Sequence, residues 1–319
     1  MGTQYFVVGS GSIGRRHHDN LKALGADVHL LGWRGLDMAT LEAMIGGACS
    51  SGGQAALVIA TATQVRLELI ALAGRLRVPF YVEKPLAYRM DDLERIHDAA
   101  APVAERSMVG FMMRYHPALR ALAEEPVAAY RFHMEIGHDV RQWRANWRFG
   151  DSYAAREEGG GVLLDLCHEL DMAHVLFPGA GVTAVESIGH ADFPGVDFAT
   201  QVTLAQEDGP VGTVAMDYLS PKSLRRAQLR GREEVLDLDW LAPRWVRSDG
   251  AEDRVREWRF ERNDMFTGIM RDFMALVDGG ETGGNPLMPR FDRVQESCAL
   301  IARAWEAREF RGQIEGGFA

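Results

Sequence analysis

Cysteine is scarce in this chain: three residues in 319, Cys49, Cys167 and Cys298, far apart and odd in number. No C-x-x-C spacing occurs, which removes zinc-ribbon and dithiol chemistry and indicates reduced thiols in a cytoplasmic setting. Blocks of Lys or Arg are missing too. With 35 basic against 45 acidic residues and a formal net charge of −10, neither nucleic acid nor an anionic membrane surface is an expected partner. No apolar run approaches the roughly 18 residues of a membrane span, and an apparent strand from Tyr5 leaves no signal-peptide pattern. Internal repeats, low-complexity stretches and a Pro/Gly-rich linker are likewise lacking. What remains, 47% hydrophobic and 25% charged, is ordinary composition for a cytoplasmic globular protein with length for two domains.

The first hundred residues alternate short apolar runs with helical patterns. The runs are Tyr5–Val8, Asp27–Leu31, Ala55–Ala60, Val78–Val82 and Ser107–Met112. Helix-like stretches lie between them, near 13–24, 38–45, 64–76 and 90–100. Such alternation implies right-handed crossovers and a parallel sheet. From about residue 115 the period changes to two, as in Ala128–Glu135, Thr200–Leu204, Gly212–Tyr218 and Arg226–Gly231, which reads as an open, largely antiparallel sheet. Two helical pieces, 161–177 and 290–308, interrupt this half. The expectation is an α/β protein: a doubly wound Rossmann domain over 1–114 and an α/β domain over 115–319.

Gly9-Ser10-Gly11-Ser12-Ile13-Gly14 fits G-x-G-x-x-G, between a strand and a helix. The first glycine permits a tight turn, the second lets backbone amides approach a pyrophosphate, and the third lets the helix pack close to the strand. The helix N-terminus supplies partial positive charge to the anion. A carboxylate for the adenosine ribose belongs at the end of the second strand, yet Leu30-Leu-Gly-Trp-Arg34 holds none before Asp37. That gap, with Arg34 at hand, favours NADP over NAD, and Trp33 or Arg34 could stack on adenine.

Glu83-Lys84-Pro85 ends the fourth apolar run. Ligands of a doubly wound sheet bind beyond the carboxyl ends of its strands, so Lys84 is expected to face that crevice, with Glu83 orienting or partly neutralising it. Further on, Gly159-Gly-Gly161 leads into an apolar helix carrying Asp165 and His168, which three-residue spacing puts on one face. Asp165, His168, Asp171 and His174 turn through about half the helix circumference, so no metal site is expected. Nor do Cys167 and His168 make a nucleophile and base, since helix neighbours diverge by about 100°.

These motifs together resemble the Gfo/Idh/MocA family of nicotinamide-dependent oxidoreductases. The matching stretches are Gly9–Gly14, Ala60-Thr61 with Thr63, Glu83–Ala87, Gly110–Pro117, and Gly159–Asp165 with His168. Gly159–Phe177, Ser152-Tyr153 and Asp217-Tyr218 look most like members linked to bacterial surface-sugar biosynthesis. The resemblance implies hydride transfer between nicotinamide and a carbinol or carbonyl carbon of a sugar, nucleotide sugar or polyol. In it Lys84 and His168 are catalytic, Asp165 orients, and Arg114, Tyr115, His116, Arg144, Trp147 and Tyr153 are candidates to grip the substrate. It also implies a helix near 290–310 packing back on the first domain, and a homodimer or homotetramer through the C-terminal sheet. Three departures stand out: the His follows the Asp by three residues rather than four, Ala62 replaces a proline, and Arg66 stands where His is common. An NAD-retaining epimerase or glycosidase and a silent nucleotide-binding regulator are the alternatives.

Overall fold

The computed structural model describes residues 2–50, 52–142 and 148–317. The chain forms two compact units, Met1–His116 with Phe260–Gln295, and Pro117–Arg259 with Glu296–Ala319. In the first unit the elements run β1 (Thr3–Val8), α1 (Ser12–Ala23), β2 (Asp27–Leu31), α2 (Met38–Ser50), β3 (Gln54–Ile59), α3 (Arg66–Leu76), β4 (Phe80–Val82), α4 (Met90–Ala100) and β5 (Met108–Val109). The five strands are all parallel, in the order β2-β1-β3-β4-β5. The order reverses between β1 and β3, the place where a doubly wound sheet opens a crevice. Val7, Val8 and Ala56–Ile59 are buried on both sides of the sheet, which is why these strands read as continuous apolar runs.

The second unit comprises α5 (Pro117–Glu124), β6 (Ala129–Gly137), α6 (Val162–Asp165), α7 (His168–Leu176), β7 (Gly181–His190), β8 (Phe193–Ala205), β9 (Val211–Asp217), β10 (Leu224–Gly231), β11 (Val235–Asp239), β12 (Arg244–Ser248) and β13 (Asp253–Glu257). The chain then enters α8 (Arg262–Asp278), which belongs to the first unit, and ends in α9 (Gln295–Glu306) and β14 (Glu309–Ile314) in the second. Among the described residues nine strands form one mixed sheet, β13-β12-β11-β10-β6-β9-β8-β7-β14. The pairs β6–β9 and β7–β14 are parallel and the rest antiparallel. Phe132 and Met134, two apart on β6, share the buried face with Val214 and Met216 on β9. The α/β class and both sheet types are as the hydrophobic periods indicated.

Two elements differ from what the sequence pattern predicts. The single helix over 161–177 is two helices, α6 and α7, because the backbone leaves the helical conformation at Leu166, with φ −104° and ψ 21°. The helix α8, which the pattern does not announce, supplies Ile269, Met270, Phe273 and Val277 to a core that also holds Tyr5, Val7, Leu21, Tyr81 and Met108. Its N-terminus carries a reciprocal capping box between Glu261 and Asp264, which satisfies two otherwise orphaned amides. Gly268 interrupts its helical signal for a packing reason: a Cβ there would stand 2.8 Å from Tyr115 Cδ1.

Candidate functional site

The first unit gathers its chemistry at the carboxyl ends of β1, β3 and β4. Backbone bonds knit these ends together: Gly9 N donates to Leu31 O, Ala60 N to Val8 O, and Glu83 N to Ile59 O, each at 2.8–2.9 Å. Gly9 has φ +115°, and a Cβ there would meet Ala60 O at 2.3 Å. A Cβ at Gly14 would lie 1.8 Å from Gly9 O. Both glycines are therefore required by the protein's own packing. Gly11 is different, since a Cβ there would meet nothing within 4 Å among the described residues. It is the N-cap of α1, whose first turn carries no acid and no side-chain cap. At the end of β3 the Thr61 hydroxyl is buried without a hydrogen-bond partner among the described residues. A helix start without a side-chain cap, open space above the second glycine and a buried hydroxyl on the neighbouring strand suit an anionic dinucleotide.

Beyond β2, Trp33 is half-buried and Arg34 exposed. Asp37 serves the helix that follows it. Its carboxylate accepts from the Thr40 amide and hydroxyl, both at 2.8 Å. These bonds, the amide's first, hold it below the usual carboxylate range and mark it as the cap of α2.

Glu83 and Lys84 do not form the exposed pair that their adjacency brings to mind. Glu83 is buried and lies 2.6 Å from His17 Nε2, with the Tyr81 hydroxyl donating to the same oxygen at 3.1 Å. Burial alone would raise its pKa, but the His17 bond and the charges of His17, Lys84 and Arg66 hold it below the ordinary value. Lys84 is partly exposed at the end of β4. Its carbonyl accepts from Arg66 Nη2 at 3.4 Å, and the same nitrogen donates to Thr61 O at 3.0 Å. The buried Arg66 thus ties the ends of β3 and β4. Thr63 opens the short turn before α3.

Arg114, Tyr115 and His116 are engaged within the first unit. The Tyr115 hydroxyl donates to Asp272 of α8 at 2.6 Å, His116 packs edge-on against Phe260, and the Arg114 carbonyl accepts from Asn285. Arg144 and Trp147 lie outside the described residues.

In the second unit, Asp165 ends α6 as the centre of a carboxylate–phenol cluster. Its Oδ1 accepts from Tyr153 and its Oδ2 from the buried Tyr218 at 3.1 Å. Burial first, and then the Asp165 charge, push the Tyr218 phenol well above its ordinary pKa, so it donates. His138 faces the Tyr218 ring at 6.1 Å, and burial lowers its pKa against the pull of Asp165, Asp217 and Asp139. His168 is the first residue of α7, beyond the break at Leu166–Cys167, and is partly exposed. The next residue, Glu169, is buried and accepts from Arg225 Nε of β10 at 2.5 Å. Among the described residues no group of three or more His, Cys, Asp or Glu could hold a metal ion, and no helix is long and apolar enough to cross a membrane.

The glycine run before α6 is packed against a residue that the motifs do not include. Asp197 of β8 is fully buried. Its Oδ2 accepts from Leu163 N and the Thr200 hydroxyl, both at 2.9 Å, and its Oδ1 from Arg308. The signal was present, because an acid between Val196 and Phe198 in an apolar strand requires a partner. His17 carried the same kind of signal, standing on the face of α1 that buries Gly14 and Leu21.

Residues 129–237 match the family model of the GFO/IDH/MocA C-terminal domain, a segment that includes Tyr153, Asp165, His168 and Tyr218. A search of curated protein sequences finds no match. Among solved structures, the fold is similar to UDP-N-acetylglucosamine 3-dehydrogenase GnnA from Acidithiobacillus ferrooxidans, at 16% identity, TM-score 0.75, and 97% and 98% coverage of the two chains. It is similar to levoglucosan dehydrogenase in complex with NADH and levoglucosan, at 17% identity, TM-score 0.70, and 96% and 97% coverage. An oxidoreductase from Agrobacterium radiobacter in complex with NAD+, L-tartaric acid and magnesium shares 16% identity over 96% and 95% of the chains, at TM-score 0.73. At these identities the likeness establishes the fold. The likeness to the GFO/IDH/MocA family thus rests on residues 129–237, which match the model of its C-terminal domain.

Proposed function

We propose that the protein is a nicotinamide-dependent oxidoreductase acting on a carbinol or carbonyl carbon of a sugar, nucleotide sugar or related polyol. The observation that carries the reading is the open direction above Gly11 at the uncapped start of α1, at the sheet's switch point. The sugar class draws on the solved relatives, whose names include a nucleotide-sugar dehydrogenase and an anhydrosugar dehydrogenase. A bound nicotinamide would supply the hydride acceptor or donor. Gly11, Ser12 and Ile13 would present amides to the pyrophosphate, and Ala60, Thr61 and Thr63 would border it from β3. With Asp37 occupied as a cap, Arg34 is the residue to meet a ribose 2′-phosphate, and Trp33 offers a face for adenine. On this ground NADP is the proposed cofactor, although the relatives solved with a nicotinamide nucleotide hold NADH or NAD+.

Lys84 would hydrogen-bond the reacting oxygen and stabilise negative charge developing there. His168 would take the hydroxyl proton, a role suited to an imidazole near neutrality. Asp165, fixed by two phenol donors, would orient the substrate or the imidazole. The test is direct titration of the purified protein with NADH and NADPH, followed by a sugar and nucleotide-sugar panel read by nicotinamide absorbance. Lys84→Ala and His168→Ala, each taken singly, should keep nucleotide binding and lose turnover. A protein that binds neither nucleotide is not a dehydrogenase. Arg34→Ala should weaken NADPH and spare NADH.

A further inference from the structure

We propose that His17 and Glu83 are a positioning pair that transmits the seating of a dinucleotide on α1 to Lys84. The inference rests on the dinucleotide reading above. His17 lies three residues after the last glycine of the loop, on the same short helix, and is fully buried. Glu83 is the chain neighbour of Lys84. Their 2.6 Å bond is therefore a direct link between the helix that would meet the phosphates and the segment that presents the ammonium. The imidazole's other nitrogen, Nδ1, is buried and has no hydrogen-bonding partner among the described residues, so the ring's polar link there runs through Glu83.

The surroundings hold the pair in one geometry. Tyr81 crosses the imidazole edge-on at 4.8 Å and donates to Glu83 at 3.1 Å. A Cβ at Gly110 would stand 2.7 Å from the Tyr81 hydroxyl and 3.1 Å from Glu83 Cδ, so the chain leaving β5 closes over the pair with glycine. Phe266 of α8 lies 6.0 Å from the imidazole. On the far side of Lys84, Arg66 grips its carbonyl and that of Thr61. Stability alone is a poor reason for such a pair, because buried ionic pairs are commonly matched or exceeded by apolar residues of similar volume. What the pair supplies, and leucine could not, is a directed tie between two backbone segments.

The test uses the full chain with NADH and NADPH and follows amide hydrogen exchange over residues 80–88, with binding measured in parallel by nucleotide fluorescence. In the unmodified protein, saturating nucleotide should slow exchange there by roughly tenfold or more. In Glu83→Met, which keeps the length and removes the acceptor, and in the apolar double variant His17→Leu with Glu83→Met, nucleotide should still bind while the slowing at 80–88 largely disappears. Slowing equal to that of the unmodified protein in either folded variant overturns the proposal, as does unmodified protein that binds nucleotide with no change at 80–88. A protein that binds neither nucleotide fails earlier, by sinking the dinucleotide reading itself. A merely structural pair would lower the unfolding midpoint and leave the slowing intact.

Discussion

Gly11→Ala and Gly14→Ala differ by three positions in one loop, yet the geometry separates their consequences. At Gly14 the new methyl carbon would sit 1.8 Å from a carbonyl oxygen and 2.9 Å from its carbon, both backbone atoms of Gly9. Backbone cannot swing aside as a side chain does, so the start of α1 must move off β1. Overpacking of this kind costs about 1–3 kcal/mol. At Gly11 the same methyl meets nothing within 4 Å, and φ is −69°, which alanine adopts freely. Folding stability should then change by no more than about 0.5 kcal/mol. Binding is another matter. A phosphate oxygen sits about 2.9 Å from an amide nitrogen, whereas a methyl carbon holds its neighbours at about 3.5–4 Å. Loss of one or two charge-assisted bonds, each worth about 1.5–3 kcal/mol, weakens nucleotide on the order of a hundredfold. Urea unfolding and NADH and NADPH fluorescence titration on both variants provide the readouts. Gly11→Ala should unfold like the parent and bind poorly, and Gly14→Ala should lose both. A Gly11→Ala protein that binds nucleotide as the parent does would refute the placement of the phosphates.

Three further outcomes follow from the same kind of reasoning. Asp37→Ala removes both bonds to Thr40 and should lower the melting temperature without weakening NADH; a marked loss of NADH affinity would make Asp37 a ribose ligand instead of a cap. His97 and His138 have pKa values lowered from 6.5, in both cases chiefly by burial. The unfolded chain therefore binds more protons than the folded one just below that value, and stability must fall as pH drops through it. Urea unfolding at about pH 7.5 and about pH 5.5 should show the fall, and His97→Leu should flatten part of it; an unchanged slope in that variant would exclude His97. Arg308→Met leaves the Asp197 carboxylate fully buried without its cation, which should cost about 3–5 kcal/mol in unfolding free energy, and a loss below about 1 kcal/mol would contradict it.

Local signals carried the first unit. β1 and β3 are apolar on both faces, and their runs announce them within a residue or two. β4 begins at Phe80 instead of Val78, because Pro79 lacks an amide for the ladder. The tie between His17 and Glu83 spans 66 positions, and nothing in Glu83-Lys84-Pro85 says which way the acid turns. The break between α6 and α7 was illegible for the opposite reason. Val162, Leu163, Leu164, Leu166 and Leu170 continue one apolar pattern through it. Tyr153 and Tyr218 converge on the Asp165 carboxylate from 12 residues before it and 53 after it, a meeting that only the folded sheet arranges.

The two glycine runs show why a motif letter is weaker than the space around it. Gly159 and Gly161 have φ of +76° and +91°, so the run before α6 needs glycine for its backbone alone. A Cβ at Gly160 would lie 2.2 Å from Arg156 O, and one at Gly161 would lie 1.9 Å from Asp197 Oδ1. The close approach that the run permits is thus made by the protein's own carboxylate, which also caps α6 through Leu163 N and so sets where Asp165 stands. A ligand is not needed to explain these glycines. Gly9 and Gly14 are explained the same way, by Ala60 O and Gly9 O. Gly11 alone among them has both a permissive φ and open space, so no contact among the described residues accounts for the absence of its side chain. The case for a bound nucleotide is strongest at the glycine that the fold itself does not require.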